Sequence, residues 1–193
     1  MQELNSYYKN EGDTYLIEIR LSNVSQIFNS FDPSPFLEKD LDEDAESYIV
    51  QSVSEFPLKT PLKLVFYLPK QGHDEEIPIL HEAIHNYFDY RKHNAARELR
   101  QTLRQGQTSL MIGLLFLSLC ISLSKLITLF SDGTFAKILI EGLLIVGWVA
   151  MWRPLEIFLY DWWPIHRTQQ VFDKLSSIEI EIRTSHESDR PIV

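Results

Sequence analysis

Residues 108–164, TSLMIGLLFLSLCISLSKLITLFSDGTFAKILIEGLLIVGWVAMWRPLEIFLYDWWP, decide how the rest of the chain is read. Residues 108–130 carry one charge, Lys125. A short Ser131-Asp132-Gly133-Thr134 turn follows, and then residues 135–152, with Lys137 and Glu141 in their first turns. A helix crossing the hydrocarbon core needs about 20 mostly apolar residues. Both runs meet that requirement, and so short a turn forces the second back alongside the first. The alternative is a buried hairpin in a soluble protein, but such long apolar runs seldom fit inside a soluble domain of this size. The expected unit is therefore a two-helix transmembrane hairpin over residues 108–163.

Whole-chain averages hide this hairpin. Mean hydropathy is only −0.13 because the flanks are strongly polar. The 193 residues include 27 acidic and 18 basic side chains, a balance that speaks against nucleic acid as a partner. The single cysteine, Cys120, lies inside the first apolar run, so no intramolecular disulfide can form. Residues 1–13 show neither a basic n-region nor an apolar h-region, so no cleavable signal peptide is expected and the first span directs its own insertion. Arg91, Lys92, Arg97, Arg100 and Arg104 precede the hairpin, and Arg153, Arg167 and Lys174 flank its return. The turn itself has no basic residue, and Lys125 and Lys137 near it can snorkel outward. The positive-inside bias then places both termini in the cytoplasm.

The flanks read as a small α/β domain. Residues 14–21 (TYLIEIRL), 61–68 (PLKLVFYL) and 177–184 (SIEIEIRT) with Ser176 before them alternate apolar and polar positions, the period of a half-buried strand. Between the first two strands, Asp40 with Glu43 suggests a capping box for a helix that buries Ala45, Tyr48, Ile49, Val53 and Phe56. The acidic run 38–46 reads as the solvated start of that helix. Pro78 suits the first turn of a long helix striped by Leu80, Ile84, Tyr87, Phe88, Ala95, Leu99 and Leu103, continuing past Gly106, with or without a kink, into the first span. Strands this short need one another, so a three-stranded sheet is expected, its first two members parallel through a helical crossover. The fold class is thus α+β: a transmembrane hairpin inserted into a small cytoplasmic α/β domain made of residues 1–107 and 164–193.

Two stretches could carry chemistry. His81-Glu82-Ala83-Ile84-His85 matches H-E-x-x-H, in which two histidines one helical turn apart bind zinc and the glutamate polarises water. Against it stand its place early in a helix, next to Pro78, and the lack of a third ligand downstream. A polar helix side continued by Asp89 and His93 explains the same residues. The second stretch is residues 147–164. Trp148, Trp152, Trp162, Trp163 and Tyr160 crowd the expected inner boundary as an aromatic belt. Arg153 and Glu156 lie three apart and can pair, Asp161 follows, and Pro154 bends the helix where they sit. An intramembrane charge cluster of this kind binds a lipid head group, an ion or a partner helix, or else is a structural ion pair. Ser109 with Gly113, and Ser118 with Ser122, are small residues four apart that permit close helix approach within the hairpin or between protomers. Glu141 is expected to pair with Lys137.

The segments FNSFDPSPF (28–36), EKDLDEDAESYIV (38–50) and GWVAMWRPLEIFLYDWWPI (147–165) resemble a family of small, uncharacterised bacterial inner-membrane proteins with two transmembrane helices. The resemblance implies a bacterial inner membrane and supports the hairpin, and it supplies no activity. The expected function is non-enzymatic: self-association, or service as a subunit or scaffold of a membrane complex. Contacts to a partner or to lipid would fall on Arg153, Glu156, Tyr160, Asp161, Trp162 and Trp163. The bilayer, a second copy or another membrane protein are the expected partners, with no cofactor and no nucleic acid. Two alternatives stay open: a zinc-dependent membrane peptidase using His81, Glu82 and His85, and a small oligomeric channel or transporter subunit.

Overall fold

The computed structural model describes residues 8–69, 76–130 and 133–185. Residues 1–7, 70–75 and 186–193 and the first half of the SDGT turn lie outside the described residues. The chain divides into two compact units, residues 1–94 with 168–193, and residues 95–167.

The first unit is built on a sheet. A two-residue strand β1 (Asn10–Glu11) turns through Gly12, whose φ of 64° is the left-handed region glycine tolerates, into β2 (Thr14–Arg20). Helix α1 (Glu43–Ser54) leads to β3 (Leu62–Pro69), and the last strand, β4 (Glu179–Ser185), closes the order β1-β2-β3-β4. The sheet has four strands instead of the three expected, because β1 is too short and polar to show a period. β2 and β3 run parallel, and so do β3 and β4. Ile17, Leu64 and Ile180 are register partners, so they share one face, as do Ile19, Phe66 and Ile182. The adjoining core holds Ile49 and Val53 of α1, Leu80, Ile84 and Phe88, and Val171, Phe172 and Leu175. Phe88 and Phe172 stack with centroids 6.2 Å apart.

The opposite face of the sheet is laced with charge. Lys63 lies 2.8 Å from Glu179 and 3.1 Å from Glu181, and Arg183 lies 2.7 Å from both Glu181 and Glu11. Tyr67 donates to Glu18 at 2.6 Å. These pairs sit above Leu16 and Val65, which are buried although they alternate with the apolar row.

Two details of the α1 region differ from the sequence reading. The cap is Asp42, whose side chain accepts from Asp44 N, not Asp40. The physical reason is that Leu41 is bridged to Phe28, with Asn29 N donating to Asp40 O and Asp42 N to Ile27 O, which holds residues 40–42 extended. Tyr48 is exposed instead of buried, its hydroxyl reaching Glu18 O.

Helix α2 (Glu76–Phe130) is a single helix of 55 residues with no interruption at Gly106. It begins two residues before Pro78, which still falls in the first turn, where its missing N–H leaves no bond unmade. Leu99 and Leu103, expected in the buried stripe, are only half-buried.

In the second unit α2 meets α3 (Thr134–Val149), α4 (Trp152–Glu156), a π-turn (Ile157–Asp161) and the start of α5 (Trp162–Leu175). From Gly106 to Ile127 a row of buried and half-buried positions on α2 runs through Gly106, Leu110, Gly113, Leu117, Cys120, Ser124 and Ile127, in alternating steps of four and three, with Ser109 half-buried beside it. The matching row on the return is Ala136, Ile140, Leu143, Gly147, Ala150, Pro154 and Ile157, with the same steps, and Met151, Glu156 and Phe158 are half-buried beside it. This is the seam of an antiparallel helix pair. A methyl at Gly113 would stand 3.0 Å from Ala150 O, and one at Gly147 would stand 2.9 Å from Leu117 Cδ1 and 3.2 Å from Cys120 Cβ. At Gly106 it would meet Ile157 Cγ2 at 2.8 Å. Gly113 therefore serves close approach inside the hairpin, whereas Ser118 and Ser122 point away, exposed, each hydroxyl donating to the carbonyl four residues back. Residues 79–130 and 134–175 each contain a stretch long and apolar enough to cross a membrane, and only 17% of either stretch is buried.

Candidate functional site

The site begins with Pro154. It has no N–H to offer the carbonyl of Ala150, four residues back, and that carbonyl is the atom facing Gly113. The backbone then passes from α4 into the π-turn. On this frame Arg153 Nη1 lies 2.9 Å from Glu156 Oε2 and 3.2 Å from Asp161 Oδ2. The sequence spacing pointed to the first contact; the second depends on the π-turn. All three side chains are partly exposed, Arg153 at 55%. One guanidinium between two carboxylates leaves the trio with a net charge of −1, so a bare phosphate would have to displace a carboxylate. A partner group that donates hydrogen bonds or carries positive charge would meet no such competition.

The aromatic residues around the trio divide into two kinds. Trp162 is half-buried and its indole Nε1 donates to Phe158 O at 2.8 Å, inside the π-turn. Its ring lies 6.0 Å from that of His166. Tyr160 and Trp163 are exposed, as are Trp148 and Trp152. The structure thus brings Arg153, Glu156 and Asp161 together, and ties Trp162 into the backbone instead of offering it to a ligand.

The H-E-x-x-H residues sit in the other unit. His85 Nε2 is 2.8 Å from Ile178 O, the residue just before β4, so it holds the C-terminal strand. His81 Nε2 is buried without a hydrogen-bond partner, and burial followed by the neighbouring His85 lowers its pKa. Glu82 is exposed. Among the described residues no three His, Cys, Asp or Glu side chains converge as metal ligands.

Sequence reasoning missed a cavity of about 410 Å³ lined by Asp32, Asp40, Asn86, Tyr87, Tyr90 and neighbours. It arises because Asp32 accepts from Ser34 N and from Asp40 N at 2.7 Å, folding the proline-containing loop against α2. Those bonds to backbone N–H hold the Asp32 carboxyl below its usual range. Nearby, Tyr87 donates to Glu46 at 2.7 Å, and Arg91 meets the same carboxylate at 2.7 Å while lying over the Phe172 ring. No spacing in the sequence marks this loop closure. Comparison with protein-family models, with curated proteins and with solved structures finds no match to the chain.

Proposed function

We propose that this chain is a non-enzymatic integral membrane protein of a bacterial inner membrane. Its hairpin spans the bilayer, and its α/β unit lies on the cytoplasmic side with both termini. It acts by self-association or as a subunit of a membrane complex, and the segment from Arg153 to Trp163 is the contact surface at the inner boundary. The observation that carries this reading is the exposure of the most apolar helices: Leu115, Ile145 and Val146 stand more than half exposed on both arms. A core helix of a soluble protein would be mostly covered, whereas lipid tails cover such surfaces without any protein partner.

The test is resistance to alkaline extraction, followed by labelling of single cysteines placed at Asn5, Asp132 and Arg190 in a Cys120→Ala background. Labelling from outside in intact cells is expected only at position 132. Complete release from membranes by alkali would overturn the membrane reading, and outside labelling at 5 or 190 would overturn the orientation. The mass and composition of the assembly in mild detergent then distinguish a homo-oligomer from a mixed complex.

A further inference from the structure

The two flanks of the hairpin are chemically unlike. The seam positions fix which way every other residue points, since each lies at a known angle from the line facing the partner helix. On one flank stand Ile112, Phe116, Leu119, Leu123 and Leu126 of α2 with Leu139 and Val146 of α3, all apolar. On the other, Ser118, Lys125 and Thr128 of α2 and Lys137 and Glu141 of α3 stand among Met111, Leu114 and Ile121 of α2 and Leu144 and Trp148 of α3, and Ser122 borders them. In an antiparallel pair, positions that follow the seam by one residue on each helix come to the same side. Lys125 follows Ser124 and Glu141 follows Ile140, so they share a flank.

They also share a depth. The contacts of Gly113 with Ala150 and of Gly147 with Leu117 and Cys120 set the register, which puts residue 125 level with about residue 141. Each lies about 8–10 Å along the helix from the turn, at a rise of about 1.5 Å per residue. Both side chains are exposed, and among the described residues neither takes part in an ion pair. The expected pair between Glu141 and Lys137 is not formed.

We infer that this charge-bearing flank is the interface with a second copy of the chain, packed side by side about a two-fold axis along the membrane normal. Such an axis preserves depth. Lys125 of each copy then meets Glu141 of the other, and the contact is made twice. The opposite charges at one level are what a self-complementary interface needs. A purely lipid-facing flank would have no use for them, because an uncompensated charge in hydrocarbon is unfavourable. Ser122 and Ser118, about one and two turns from Lys125 along the same helix, are small enough to let the helices approach. This inference rests on the membrane reading above and names the partner and the face of self-association.

The experiment is disulfide cross-linking in native membranes, using the full chain with Cys120→Ala and one new cysteine. Co-expressed copies, one carrying Ser118→Cys and the other Trp148→Cys, which the register sets level, are expected to give several-fold more covalent dimer than copies carrying Leu119→Cys and Val146→Cys on the other flank. In a detergent dilution assay, Glu141→Lys should weaken the dimer on the order of tenfold, about 1.4 kcal/mol. Adding Lys125→Glu should restore it. Cross-linking between positions 119 and 146 instead, or a membrane-embedded protein that stays monomeric, would overturn the inference while leaving the membrane reading standing. A chain that alkali extracts from the membrane would overturn both. The cysteine changes leave Lys125 and Glu141 in place, so the test remains decisive if a charge reversal prevents insertion.

Discussion

Replacing Gly113 by alanine adds one methyl group, and the structure specifies what that methyl meets. It would stand 3.0 Å from Ala150 O and 3.1 Å from Met151 Sδ, inside the 3.5–4.0 Å range of ordinary contact. The oxygen belongs to the backbone, so it cannot swing aside as a side-chain tip would. Overpacking of this kind costs about 1–3 kcal/mol. Against it stands the gain of about 0.8–1.0 kcal/mol from replacing glycine in a helix. Gly142 supplies the control, because a methyl there meets nothing within 4 Å and only the gain applies. The same chemical change at the two sites should therefore differ by about 1–3 kcal/mol, with Gly113→Ala the less stable. Gly147→Ala should fall between them, since Leu117 Cδ1 at 2.9 Å is a flexible tip, although Cys120 Cβ at 3.2 Å is not. Reversible unfolding in mixed micelles, followed by tryptophan fluorescence, measures the series. If Gly113→Ala and Gly142→Ala unfold at the same denaturant concentration, the antiparallel seam is wrong.

His81→Leu should leave metal content at background and should raise stability, because it removes a buried nitrogen without a partner. The His81 pKa is lowered in the fold, so wild-type stability is greatest above the ordinary value of 6.5 and declines as pH falls from there through the lowered folded value. Thermal melts from pH 8 to 5 should accordingly be flatter for the variant, and stoichiometric zinc in the wild type would restore the peptidase alternative. Glu181, held down to about 2 first by Arg183 and then by Lys63, stabilises the fold above 4.5 and loses that contribution as pH falls toward 2. Glu181→Gln should remove part of the acid sensitivity in that window, and an unchanged acid limb by circular dichroism would refute the assignment. Arg153→Ala should cost no more than about 1 kcal/mol, because partly exposed pairs are worth little. The exchange of Arg153→Glu with Glu156→Arg should fold but fail to associate, and a native-gel assembly identical to wild type would remove the binding role from this site.

The sequence disclosed elements whose periodicity is long and whose chemistry is local. The alternation in residues 14–21 and 61–68, the continuous stripe from Leu80 to Phe88 and the apolar runs of the hairpin all reappear as β2, β3, α2 and α3. It did not disclose features set by distant partners. Asp40 looked like a cap from its spacing to Glu43, but the Phe28–Leu41 bridge takes residues 40–42 and shifts the cap to Asp42. Gly113 and Ser118 looked equivalent as small residues, and only the opposing helix tells them apart: one faces Ala150 O and the other is exposed. At the site, the Arg153–Glu156 contact was legible as a three-residue helical spacing. The contact with Asp161 was not, because no residue pattern announces a π-turn.

That second contact has a geometric cause. In a regular helix each residue advances by about 100°, so Asp161 would stand about 80° away from Arg153 and two turns along. The turn Ile157–Asp161 holds one residue more than an α-turn, which returns Asp161 to within about 20° of Arg153's line. One widened turn thus converts an isolated Arg–Glu pair into a guanidinium held between two carboxylates. The sequence limits the segment at both ends with a residue that cannot donate: Pro154 leaves Ala150 O without its helical partner, and Pro164 does the same for Tyr160 O. Inside it, the Trp162 indole bonds Phe158 O, compensating the carbonyl where the widened turn weakens the ladder. A membrane anchor needs only aromatic side chains at the boundary, which Trp148, Trp152 and Trp163 already provide. Gathering three charges by means of a widened turn, between two prolines, exceeds what anchoring requires. Such turns concentrate where helices serve a function, which supports the proposal that the contact surface includes Arg153, Glu156 and Asp161.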